Sequence, residues 1–181
     1  MNNLRKLLFS TSQQKVLAFL AKNAGKSYQE KDIVKKTGIK KSAVNLALRE
    51  LFKDNIIDRQ KVGRSSLYSA NAKNNVIREI KILQNVSAIG ELINKLAGDS
   101  QKIILFGSFA DGTNKKDSDL DLFILTNSPV TIRKTLNSSA FAEKIQIITK
   151  TPAEMLKINK NKPLLFQEIE KGKVLWEKNE N

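Results

Sequence analysis

Asp119 and Asp121 flank one leucine at the mouth of the apolar run Leu122-Phe123-Ile124-Leu125. Residues two apart on a strand point the same way, roughly 7 Å apart. Both carboxylates therefore face one side, and Leu120 and Leu122 the other. Two acids at the entrance to a buried strand are costly unless they reach solvent or bind a cation. Magnesium suits them, since it takes oxygen ligands and is held by one or two carboxylates together with substrate phosphates. Twelve residues before Asp119 comes Gly107-Ser108, directly after a second apolar run, Ile103-Ile104-Leu105-Phe106. Gly107 lets the backbone approach a phosphate where a Cβ would obstruct it. Ser108 is expected to N-cap a short helix over Phe109–Asp111 that Gly112 closes. Neither motif is specific alone. Joined at this spacing and flanked by two hydrophobic strands, they describe a phosphate turn beside a metal pair.

The spacing resembles the minimal nucleotidyltransferase domain of the DNA polymerase β superfamily, with Gly-Ser, a short loop, then Asp-x-Asp on the next strand. The resemblance runs from Asp99 to the C-terminus. It implies that Gly107 and Ser108 bind the triphosphate of ATP or another nucleoside triphosphate, and that Asp119 and Asp121 are catalytic metal ligands for Mg2+. It also implies a third carboxylate on a later strand. There the chain departs from the pattern, reading Glu143-Lys144-Ile145-Gln146-Ile147-Ile148-Thr149. Gln146 stands where the third acid is expected, and an amide is neither a good magnesium ligand nor a base. Glu143 lies three residues earlier and, by alternation, on the opposite face.

Histidine and cysteine are both absent from the 181 residues. That removes disulfides, thiol chemistry, zinc sites built on those residues, and Ser-His or Cys-His catalysis. A reducing cytoplasm is compatible with such a chain. No apolar stretch approaches the ~20 residues of a membrane span, and no signal-peptide core is expected. The net charge is +14, unevenly placed: residues 1–72 carry 15 Lys+Arg against 5 Asp+Glu, and residues 73–181 carry 17 against 13. A basic segment beside a nearly balanced one points to a polyanionic partner for the first.

Within the basic segment, Gln13 to Lys22 reads as a helix. Ser27 and Glu30 have capping-box spacing for a second through Lys36, and a third runs from Lys41 to Lys53 with Val44, Leu48 and Leu51 inward. Ile56-Ile57, a polar stretch around Gly63, and Leu67-Tyr68 read as a hairpin. The run Ile33-Val34-x-x-Thr37-Gly38-Ile39-x-x-Ser42-x-Val44, then Leu48-x-x-Leu51, resembles the winged helix-turn-helix of prokaryotic regulators. That resemblance implies double-stranded DNA as partner and the third helix in the major groove. Its exposed face offers Lys40, Lys41, Ser42, Asn45 and Arg49. The hairpin adds Arg59, Lys61, Arg64 and Ser65, and Lys35 and Lys36 precede the turn.

The expected fold is α+β: a winged helix-turn-helix over 1–72, a linker helix over 73–98, and a small mixed β-sheet with flanking helices over 99–181. The linker helix, Val76 to Leu96, carries Val76, Ile80, Leu83, Val86, Ile89, Ile93 and Leu96 as its apolar stripe. This stripe suits either the second domain or another copy of the chain in a homodimer. Thr151 and Glu154 form a second capping box, with Pro152 at the first position of a short helix through Leu156. Pro163 opens a further helix, Gly172 closes it, and Val174-Leu175-Trp176 reads as a last strand with Trp176 in the core. Residues 177–181 are expected to fray.

Two functions fit. One is a DNA-binding nucleotidyltransferase that passes a nucleoside monophosphate to a hydroxyl acceptor, such as one on a partner protein. The other is a transcriptional regulator whose second domain senses nucleotide or dimerises without turnover. RNA binding is disfavoured by the lack of an aromatic platform.

Overall fold

A computed structural model describes residues 7–155 and 162–178. The chain divides into two compact units, Met1–Ser87 and Ala88–Asn181. The division falls within a helix rather than at either end of it.

In the first unit the helices are α1 (Ser12–Lys22), α2 (Glu30–Thr37) and α3 (Lys41–Lys53). Strands β1 (Tyr28–Gln29), β2 (Ile57–Val62) and β3 (Ser65–Ala70) form an antiparallel sheet in the order β1-β3-β2. Thr11 caps α1, accepting from the Gln14 N–H at 3.2 Å while the Gln14 side chain accepts from the Thr11 N–H at 3.1 Å. Two such bonds satisfy amides that a helix start otherwise leaves open. Val16, Leu20, Ile33, Val44, Leu48 and Ile57 are buried together. The 3.6-residue spacing of Val44, Leu48 and Leu51 turns one face of α3 inward and leaves Lys41, Ser42, Asn45 and Arg49 exposed. Gly63 opens the two-residue turn between β2 and β3 at φ +57°, a conformation disfavoured for a residue with a Cβ. The Ser27 cap is not the one used. Tyr28–Gln29 pairs with β3, so the chain stays extended to Gln29, α2 starts at Glu30, and Asp32 accepts from the Gln29 N–H at 3.2 Å.

Helix α4 spans Asn75–Ala97 and runs unbroken through Gly90. Its buried apolar residues are Ile77, Ile82, Ile89, Leu92, Ile93 and Leu96. Val76 and Leu83, expected in the stripe, are exposed. Isoleucines and leucines recur so densely here that more than one stripe at threes and fours can be drawn, and packing selects another.

The second unit contains β4 (Lys102–Phe106), α5 (Gly107–Asp111), β5 (Leu120–Leu125), α6 (Pro129–Asn137), β6 (Ile145–Lys150), α7 (Pro163–Glu170) and β7 (Lys173–Glu177). The sheet order is β6-β5-β4-β7, with β5 and β6 parallel and the other pairs antiparallel. It is thus a mixed sheet. Ile104, Phe106 and Phe123 on one sheet face cluster with Ile169, Leu165 and Phe166 of α7. At the turn from α7 into β7, a Cβ on Gly172 would meet the Ile104 side chain at 2.5 Å and the Leu105 carbonyl oxygen at 2.6 Å. Only glycine fits there.

Helix α6, opened by Pro129, was not among the expected elements. Glu143 lies in a 3-10 turn, Ala142–Lys144, rather than on the strand, which starts at Ile145. Thr151 and Glu154 do form their box: the Thr151 N–H donates to Glu154 at 2.9 Å and the Glu154 N–H to Thr151 at 3.3 Å. Leu156, the expected helix end, lies outside the described residues, as do 179–181. Trp176 is 39% exposed rather than in the core, because β7 is the sheet's edge strand.

Candidate active site

Strand β4 delivers the chain to Gly107, which takes φ +64° and starts α5. The helix begins two residues earlier than Ser108 capping requires. Phe106 occupies the cap position with extended backbone and makes no side-chain cap bond, so Ser108 sits in the first turn instead. Gly112 closes the helix at φ +74°. The loop that follows is braced at three points. Asp111 accepts from the Thr113 N–H at 3.0 Å, Ser118 accepts from the Lys115 N–H at 2.8 Å, and Lys144 Nζ donates to the Lys116 carbonyl at 3.2 Å. This loop returns the chain to β5, with Asp119 immediately before the strand and Asp121 inside it.

Asp121 pairs in register with Phe106 on one side and Gln146 on the other. A Cβ on Gly107 would stand 2.5 Å from Asp121 Oδ2. The positive φ favours glycine here, and any Cβ would have to displace this carboxylate. Gln146 Nε2 donates to Asp119 Oδ2 at 2.7 Å. Asp119, Asp121 and Gln146 consequently share one sheet face, the face that also carries Phe123 and Ile148. The two carboxylates are not splayed, and Gln146 lies beside them.

Burial, the Asp119 charge and the Glu168 charge together hold the Asp121 carboxyl above its ordinary value. Desolvation is the largest cause. Three carboxylates acting on one another favour a cation, and their oxygens are the hard donors that magnesium takes. Among the described residues no group of three His, Cys, Asp or Glu is placed to hold a metal ion. Asp119 and Asp121 are thus two carboxylates without a third protein ligand among those residues, the kind of pair that magnesium uses together with phosphate oxygens. Glu168 was missed in the sequence. The available signal was helical: it lies next to Ile169 and one turn beyond Leu165, both of which pack on the sheet.

The residues expected at a DNA face are all exposed. A groove of the first unit brings Lys41, Asn45, Arg59 and Arg64 together with Glu30. Arg49 lines a second groove with Leu46, Phe52 and Tyr68. Lys40, at the α3 cap, and Ser42 and Lys61 line neither. Arg59 is anchored on the hairpin, donating from Nε to Ser66 at 3.1 Å with its guanidinium 6.0 Å from the Tyr68 ring centre.

The family described as "Polymerase beta, Nucleotidyltransferase" matches residues 89–181, just over half of the chain. The protein belongs to that family. Its member residues include the whole β4-to-β7 sheet and Asp119, Asp121 and Glu168. No curated protein matches this nucleotidyltransferase-family chain. A solved structure that is similar over part of the chain is reduced HlyU from Vibrio cholerae, with 17% identity, 51% of this chain and 83% of that chain covered, and a TM-score of 0.32. No helix among the described residues is long and apolar enough to cross a membrane.

Proposed function

We propose that the second unit binds a nucleoside triphosphate with magnesium, and that the first unit binds duplex DNA. The observation that carries the nucleotide reading is the placement of Asp119 and Asp121 on one sheet face against Gly107. Asp119 and Asp121 would hold the ion, and the backbone at Gly107 and Ser108 would receive the phosphates. Magnesium, when bound, neutralises phosphate charge and orients the reacting group. The reaction this supports is nucleotidyl transfer. An acceptor oxygen attacks the α-phosphorus, the bond from that phosphorus to the α–β bridging oxygen breaks, and pyrophosphate leaves. The acceptor's proton must pass to a base outside position 146, since an amide does not take it. A partner protein can supply both the hydroxyl and that base.

The Gln146–Asp119 bond favours a second reading, a regulator that binds nucleotide without turnover. Incubation with radiolabelled nucleoside triphosphate and extract of the native cell separates the two. A labelled macromolecule that disappears with Asp119→Asn supports transfer. Retained nucleotide with no labelled product supports sensing.

DNA binding rests on the exposed Lys41, Asn45, Arg59 and Arg64 around one groove and on the +10 charge of residues 1–72. Two copies would read paired half-sites in a prokaryotic cytoplasm. The affinity should fall steeply as salt rises. A gel shift showing no complex at low salt would remove this half of the proposal.

A further inference from the structure

The groove between α2, α3 and the hairpin encloses about 630 Å3 and is bordered by four cations, Lys31, Lys41, Arg59 and Arg64. One acid stands among them, the half-buried Glu30. No lysine or arginine among the described residues forms an ion pair with it. Its carboxylate is held by a side chain of α3 instead: Asn45 Nδ2 donates to Glu30 Oε2 at 3.0 Å. An anion in a groove built to attract phosphates works against binding strength. Its place in the first turn of α2 suits the helix N-terminus, and its position among four cations also serves selectivity, because unfavourable contacts with wrong partners are a means of discrimination.

The couple presents mainly acceptors. Glu30 has no donor when ionised, and Asn45 has committed one amide hydrogen to it, leaving its carbonyl oxygen open. On the major-groove edge, guanine and thymine offer acceptors, adenine offers an acceptor beside its amino group, and cytosine offers an amino donor with no acceptor. We infer that Glu30, oriented by Asn45, is a specificity-determining residue that accepts from the amino group of a cytosine in duplex DNA and rejects guanine at that position. This rests on the DNA-binding reading of the first unit. It identifies the base edge that the start of α2 meets, and it makes Asn45 of α3 a positioning residue as well as a contact. The cations along the groove then supply phosphate contacts that carry no sequence information.

The test uses the full chain and selection from randomised duplexes, with wild type, Glu30→Gln and Glu30→Ala compared at one salt concentration. The glutamine variant keeps an acceptor for Asn45, so a merely structural tether survives in it. Wild type is expected to enrich one C·G pair, with about tenfold discrimination or more against G·C. Both variants should lose that preference while binding random-sequence DNA more tightly, since an anion has left the groove. Thermal melting of each variant shows whether the fold is retained. Glu30→Gln selecting the same base as wild type at every position would overturn the inference and leave DNA binding intact. A wild-type chain that binds no duplex at 50 mM salt would overturn the DNA-binding reading itself and this inference with it.

Discussion

Gln146→Asp places an acid beside Asp121 on the neighbouring strand and removes the 2.7 Å bond that Gln146 makes to Asp119. Two destabilising effects follow. The lost bond to a charged acceptor is worth roughly 1.5–3 kcal/mol when buried, but Gln146 and Asp119 are exposed, which puts the loss near the low end. A new carboxylate one strand away, about 4.8 Å in backbone spacing, adds repulsion of about 1 kcal/mol in a largely aqueous setting. The unliganded second unit should therefore lose roughly 2 kcal/mol, or about 8–16 °C in melting temperature for a unit of this size. Magnesium should restore most of that in the variant and little in the wild type. A correctly placed base adds about 10²–10⁴ to a transfer rate, so pyrophosphate release should rise at least a hundredfold. Trp176 is the single tryptophan and reports on this unit's unfolding. Pyrophosphate release is followed with an enzyme-coupled assay. A wild type that already turns over briskly, with no gain on substitution, would refute the assignment of position 146 as the missing acid.

Gly107→Ala should cost about 1–2 kcal/mol through its positive φ, as should Gly38→Ala, where φ is +71° and a Cβ meets nothing within 4 Å. Only the first should weaken magnesium-dependent nucleotide binding, by tenfold or more in titration calorimetry, because its Cβ displaces the Asp121 carboxylate. Asp121, whose folded value is raised by burial and by Asp119 and Glu168, contributes stability that is present below its ordinary value and lost as pH rises through the raised one. Denaturant unfolding of wild type against Asp121→Asn across the acidic range should show that slope in wild type alone, and Glu168→Gln should move it to lower pH.

Elements whose side-chain period met no competitor were legible in the sequence. α3 runs from Lys41 to Lys53 as its Val44, Leu48 and Leu51 spacing requires, and β4 and β5 follow their apolar runs. Misreadings arose where two local preferences competed. Ser27 has the right spacing to cap α2, but β1 pairing with β3 keeps the chain extended to Gln29. Ser108 is a good cap residue, yet the close approach of Asp121 to Gly107 goes with a helix that starts at the glycine. At the candidate site, alternation along β5 put Asp119 and Asp121 on one face, and the family resemblance put Gln146 beside them, as the β5–β6 register shows. Glu168 had only its helical spacing from Leu165 as a signal, and its proximity to Asp121 depends on how α7 lies across the sheet. The Glu30–Asn45 bond was hidden for the same reason, joining two helices through residues fifteen apart.

The most direct measurement of the central claim is calorimetric titration of a non-hydrolysable nucleoside triphosphate into the full chain, with and without Mg2+, for wild type and Asp119→Asn/Asp121→Asn. Magnesium-dependent binding to wild type, lost in the double variant, is the expected result. Binding of equal strength in both proteins, or none to wild type at millimolar nucleotide and magnesium, would contradict it.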